Sequence, residues 1–127
     1  MFFEGKKLLL ADDDEALVEV LKNWFEFMED FQGMKLFFSR NAKDTMDILL
    51  SEKPDFTLLD LGLGDGTDGL DVLKKLKGKL PSKSKIFIFS GYSEHKQQCL
   101  DEGADEFISK KVTMLELTEI LKKYAQS

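Results

Sequence analysis

Five short apolar runs, each followed by a segment whose apolar residues recur at helical spacing, leave this 127-residue chain few architectures. The runs are Lys7–Ala11, Met34–Phe38, Phe56–Leu59, Lys85–Ser90 and Glu106–Ser109. Apolar runs of this length between turn-forming residues read as strands buried on both faces. After the first, Leu17, Val20, Leu21, Trp24, Phe27 and Met28 form one apolar helical stripe, expected to face the core. Asn41 can cap a second helix with Ala42, Met46, Leu49 and Leu50 inward. Leu70, Leu73, Leu76 and Leu80 mark a third, which Pro81 is expected to end. Ser93 opens a short fourth through about Leu100. Thr113 and Glu116 form a capping box for a fifth, which buries Leu117, Ile120, Leu121 and Tyr124.

Strands alternating with helices imply an α/β protein whose parallel sheet is covered on both faces. Right-handed crossovers leave few topologies. The expected one is the flavodoxin-like, doubly wound (βα)5 fold, with five parallel strands in the order 2-1-3-4-5 and a switch point between strands 1 and 3. No linker, repeat or low-complexity stretch interrupts residues 1–127, which are expected to form a single domain. The net charge of −6 argues against nucleic-acid binding, which needs a basic face. No apolar run approaches the ~20 residues of a membrane span, and the first residues lack the order of a signal peptide. A single cysteine, Cys99, excludes an internal disulfide framework and reads as a small buried hydrophobe, so the expected compartment is the reducing cytoplasm. The eleven phenylalanines are expected to fill the core and sheet, with Phe2 and Phe3 exposed.

Chemistry in such sheets gathers outside the carboxyl ends of the strands. Asp12 and Asp13 follow strand 1, Asp60 ends strand 3, Ser90 ends strand 4 and Lys110 follows strand 5. Singly, each has an ordinary reading. The acids of Asp12–Asp14 suit a helix's first turn, Ser90 a turn, and Lys110 a solvated surface. Jointly they converge on one spot. Three close carboxylates raise each other's pKa unless a cation joins them, and both Lys110 and a hard divalent ion such as Mg²⁺ would serve. Three other signals are set aside. Gly64-Asp-Gly-Thr-Asp-Gly69 matches a dinucleotide fingerprint, but no acid follows about 20 residues on to hold a ribose. Asp60, Asp65 and Asp68 lack the calcium-loop spacing. His95 reads as a surface residue rather than a phosphate relay.

With those positions in place, the sequence resembles the response-regulator receiver domain over essentially its whole length. Asp12 and Asp13 match the family's acidic pair, Asp60 its phospho-acceptor, Ser90 its hydroxyl residue, Phe107 its switch aromatic and Lys110 its lysine. The resemblance implies phosphoryl transfer to Asp60 from the phosphohistidine of a sensor histidine kinase or histidine phosphotransfer protein, with Mg²⁺. It implies that Asp13 and Asp60 ligate the metal directly, Asp12 through water and Gly62 through its carbonyl. It further implies a stand-alone receiver that catalyses only its own phosphorylation and dephosphorylation. The signal would pass to a downstream protein through the face of helix 4, strand 5 and helix 5, with no nucleic-acid or membrane partner. Three features depart from the family pattern. Asp60 and Gly69 are one residue further apart, Gly64 stands where a proline is usual, and Lys111 replaces the proline after the lysine. The first two predict a longer, looser loop. The third predicts either a strained cis bond or a trans bond that reshapes the loop. Two alternatives stay open: a degenerate receiver that binds partners without phosphorylation, and a magnesium phosphohydrolase. Intact Asp60, Ser90 and Lys110 count against the former; Gly62, where a second aspartate is usual, counts against the latter.

Overall fold

In a computed structural model, which describes residues 2–63 and 69–126, the chain alternates strand and helix. The elements are β1 (Lys7–Ala11), α1 (Glu15–Phe27), β2 (Lys35–Ser39), α2 (Ala42–Glu52), β3 (Phe56–Leu59), α3 (Gly69–Leu76), β4 (Lys85–Ser90), α4 (Lys96–Asp101), β5 (Glu106–Ser109) and α5 (Met114–Ala125). A short 3₁₀ turn, Glu29–Phe31, lies between α1 and β2. All five strands are parallel, in the expected order β2-β1-β3-β4-β5. Two carboxylates close the sheet where strands begin: the Lys7 N–H donates to Asp55 Oδ2 at 2.9 Å, and the Ile86 N–H to Asp105 Oδ2 at 2.8 Å.

Strand residues alternate between two cores, as the period of two requires. Leu9, Ala11, Leu59, Ile86 and Ile88 face a layer with Leu49, Leu73, Leu76 and Cys99. Leu8, Leu10, Phe56, Leu58, Phe87 and Phe89 face the other, with Leu21, Phe25, Leu117 and Leu121. The capping box on α5 and the Asn41 cap on α2 are both made. The peptide between Lys110 and Lys111 is trans. The Gly64 departure and the glycine and aspartate positions 64–68 of the two rejected motifs lie outside the described residues.

Several orientations differ from expectation. In α1, Leu21 and Phe25 are buried, whereas Val20 and Phe27 point outward, Phe27 being 81% exposed. Phe25 and Phe27 lie about 200° apart around a helix, so only one can face the sheet. An aromatic wedge selects Phe25, which meets Phe31 edge-on at 4.7 Å. Phe31 stacks on Phe3 at 4.7 Å, and Phe3 meets Phe56 edge-on at 5.8 Å. Phe3 is therefore core rather than surface, and only Phe2 stays partly exposed. In α2, Leu50 turns outward and Thr45 takes the inner place, bonded to Ser39 Oγ at 2.7 Å and to the Asn41 carbonyl at 2.7 Å. Helix α3 stops at Leu76, five residues before Pro81; Gly78, at φ +77°, makes the left-handed turn that ends it. Helix α4 starts at Lys96, whose N–H donates to the Ser93 carbonyl at 3.1 Å.

These orientations predict opposite outcomes for two similar changes. Phe3→Ala removes a fully buried ring and should cost about 3–5 kcal/mol. Phe27→Ala should stay within about 0.5 kcal/mol of the parent. Urea unfolding checks both, and equal losses would contradict the wedge.

Candidate functional site

The sheet's hydrogen-bond ladder runs one step past the strands and holds the backbones of Asp12, Asp60 and Lys110. The Asp12 N–H donates to Ser39 O at 3.0 Å, the Asp60 N–H to Ala11 O at 2.9 Å, and the Lys110 N–H to Ser90 O at 2.9 Å. The acids and the lysine are thus fixed by parallel pairing rather than by their own loops. Beyond Asp60, the Gly69 N–H closes onto Leu61 O at 2.7 Å. A Cβ at Gly69 would collide with the Asp60 carbonyl oxygen, so glycine is required there by close approach. The sequence marked Gly69 only as the opening of a helix.

Side chains then converge. Carboxylate oxygens of Asp12, Asp13 and Asp60 all lie within 4.8 Å of one another. Lys110 Nζ bridges two of them, at 2.9 Å from Asp12 Oδ2 and 3.2 Å from Asp60 Oδ1. The other Asp12 oxygen accepts the Asp14 N–H at 2.9 Å, and Asp14 in turn caps α1 by accepting the Leu17 N–H. Asp12 and Asp60 are nearly buried, while Asp13 is exposed at the rim. A cleft of about 740 Å³ opens over the cluster, bordered by Asp13, Asp60, Gly62, Ser90 and Lys110. Tyr92 and His95 also border it, and both are exposed.

Ser90 is buried at the end of β4, and its Oγ accepts the Tyr92 N–H at 3.1 Å. Among the described residues no acceptor takes the Ser90 hydroxyl hydrogen, so it can serve another acceptor. Tyr92 thus anchors Ser90 through its backbone, a role that no side-chain pattern signals. Phe107 stands apart from the carboxylates. It is half-buried on β5, paired in register with Ile88, and packs on the layer that α2, α3 and α4 cover.

The electrostatics follow from burial and proximity. Burial pushes the Asp60 carboxyl up to about 6, and Asp12 adds to this; Lys110 and the Gly62 N–H pull the other way. Burial alone would lower the Lys110 ammonium, but Asp12 and Asp60 together hold it above its ordinary value. One ammonium is therefore shared between two buried carboxylates, with a third beside them. All the donors are hard oxygens with room above, which fits a divalent cation of the Mg²⁺ type.

The raised Asp60 value has a definite sign. An acid whose folded pKa exceeds its unfolded one binds protons preferentially in the folded state, so stability falls as pH rises from about 4 to 6. Asp60→Asn should therefore stabilise the metal-free protein at pH above that window, by on the order of 2 kcal/mol. The gain should shrink as pH falls through 6 towards 4. Thermal melts of both proteins across this range are the check; a pH-independent difference would contradict it.

Comparison with known proteins places this geometry. The chain is similar to sporulation initiation phosphotransferase F of Bacillus subtilis (strain 168), at 28% identity over 122 residues that cover 94% of each chain. Among solved structures it is similar to a CheY-like response regulator receiver domain protein from Methanospirillum hungatei JF-1, at 28% identity and a TM-score of 0.82, covering 95% of this chain and 94% of that one. A two-component response regulator from Clostridium difficile shares the fold, with a TM-score of 0.83 at 22% identity, covering 95% and 96% of the two chains. The family described as "Response regulator receiver domain" matches residues 8–122. With five parallel strands in the order 2-1-3-4-5 and an acidic cluster at their carboxyl ends, the chain belongs to the response regulator receiver domain family, the phospho-accepting modules of two-component signal transduction.

Proposed function

We propose that Asp60 is the nucleophile that accepts a phosphoryl group from the phosphohistidine of a sensor histidine kinase or a histidine phosphotransfer protein. The observation that carries this is the pair of buried carboxylates, Asp12 and Asp60, sharing the Lys110 ammonium below an open cleft. Residues 1–127 act in this reading as one receiver unit, in the cytoplasm, and the only chemistry catalysed is the unit's own phosphorylation and dephosphorylation. Mg²⁺ would be held by Asp13 and Asp60 directly, by Asp12 through water and by the Gly62 carbonyl. When bound, it supplies Lewis-acid neutralisation of phosphoryl oxygens.

The chain's own residues do the rest. An Asp60 carboxylate oxygen attacks phosphorus in line with the departing imidazole. The new O–P bond forms as the P–N bond breaks, and the leaving nitrogen keeps the electron pair. Lys110, already within 3.2 Å of Asp60, donates to an oxygen of the transferred group. Ser90 donates its free hydroxyl hydrogen to another, while its lone pair stays with the Tyr92 N–H.

Readout in this reading runs through Ser90 and Phe107 to the face of α4, β5 and α5 and so to a downstream protein. A charge-assisted hydrogen bond from Ser90 contributes about 1.5–3 kcal/mol. Fully burying an exposed ring contributes about as much, but Phe107 is half-buried already and gains less. Their sum falls short of the ~5.5 kcal/mol that complete switching requires, so both states remain populated.

Two experiments test the proposal. Incubation with acetyl phosphate and Mg²⁺ should add the mass of one phosphoryl group to the parent protein and none to Asp60→Asn. Lys110→Ala should slow labelling by about 10²-fold or more. Equal labelling of parent and Asp60→Asn would overturn the assignment. In the second, beryllofluoride with Mg²⁺ should move amide NMR signals from Asp60 through Ser90 to Tyr92 and Phe107, at intermediate positions between two states. Ser90→Ala should confine the shifts to the Asp60 loop; an unchanged spread would contradict the route.

A further inference from the structure

Two lysines border the cleft over Asp60, and they differ in what they are free to do. Lys110 is committed, its ammonium held between Asp12 at 2.9 Å and Asp60 at 3.2 Å. Lys111 is exposed and, among the described residues, engages no carboxylate in an ion pair. Its backbone is nevertheless fixed, by the trans peptide after Lys110 and by its N–H, which donates to Ser109 Oγ at 3.1 Å. A proline at this position would supply neither that N–H nor a charge. The field at the cleft is set by four carboxylates, Asp12, Asp13, Asp60 and Glu94, against the two ammonium groups. An anion approaching Asp60 therefore meets excess negative charge, and Lys111 is the cation at the border that is not already spent on an acid. A lysine suits such a task, because its compact charge rides on a flexible four-carbon stem and can follow a ligand.

We propose that Lys111 is a donor-recognition residue, whose ammonium draws small, highly charged phosphodonors of the acyl phosphate class into the cleft and pairs with their phosphoryl oxygens. This rests on Asp60 being the acceptor. In the transfer, an Asp60 oxygen bonds to phosphorus as the bond from phosphorus to the acyl oxygen breaks, and the carboxylate leaves with the electron pair. Lys110 serves the transferred group, whereas Lys111 acts on the incoming donor. A charge at the border of a site governs the capture of an ionic partner and its salt dependence more than the step that follows.

The test measures Asp60 labelling by intact mass in the full chain with Mg²⁺, comparing the parent with Lys111→Gln and Lys111→Arg. The donors are acetyl phosphate, a dianion at neutral pH, and phosphoramidate, which carries less negative charge. At low ionic strength Lys111→Gln should lower the second-order rate constant for acetyl phosphate about fivefold and that for phosphoramidate about twofold. Lys111→Arg should keep the parent rates. Near 1 M salt, where the screening length falls to about 3 Å, parent and Lys111→Gln should converge. An equal loss with both donors, or a loss that persists in high salt, would mean that Lys111 only shapes its loop and would overturn the proposal. Unchanged rates in Lys111→Gln would overturn it too, while leaving Asp60 as the acceptor. Absence of labelling in the parent would instead overturn the Asp60 reading, and this one with it.

Discussion

The bridge from Lys110 to Asp12 and Asp60 is the interaction on which the rest of the site depends. Parallel pairing forces the two carboxylates together, because the ladder continues past each strand and fixes both backbones. Their repulsion and their burial are then unavoidable, and Asp60 registers both in its raised pKa. A single ammonium, held by the same ladder at the end of β5, offsets part of that cost. Breaking such a partly buried cluster by removing the cation would leave uncompensated charge, which is far more costly than losing a surface ion pair. What remains is a carboxylate short of cationic partners at the floor of an open cleft, a setting whose hard oxygen donors fit a divalent cation.

Two neighbours of the cluster hold its surroundings in place. Gly69 lets helix α3 begin against the Asp60 carbonyl, where any side chain would push the loop away. Asp14 spends its carboxylate on capping α1, and so plays a structural part beside its two neighbours in sequence. Three adjacent acids thus divide into a buried member bonded to Lys110, an exposed member at the rim and a helix cap. Burial and orientation, not residue type, separate them.

Away from the site, the aromatic wedge of Phe3, Phe25, Phe31 and Phe56 sets how α1 lies on the sheet. Its consequence is an outward apolar strip that includes Val20 and Phe27, beside a groove that reaches Trp24 and Met114. Trp24 itself is tied down through its indole N–H, which donates to Thr118 Oγ1 at 2.9 Å and links α1 to α5. The two helices on that face therefore pack as one layer against β1, β3 and β4.

Element order, strand topology and the meeting of Asp12, Asp13, Asp60, Ser90 and Lys110 at one edge were all legible in the sequence. The reason is that apolar periodicity is a local property, and the handedness of crossovers turns a list of elements into a topology. What tertiary structure decided is finer and non-local. The face that α1 presents depends on rings supplied from residues 3, 31 and 56. The end of α3, at Leu76 with a left-handed turn at Gly78 rather than at Pro81, is by contrast a local effect that the apolar stripe alone did not mark. Leu50 turns outward because the inner face of α2 is the one that carries Ala42, Thr45 and Leu49, with Thr45 bonded to Ser39. The sharing of one lysine between two acids depends on distances across strands that no periodicity encodes. Short-range chemistry determined which elements form and which residues end them; only long-range packing decided which way each side chain turned and which charge it met.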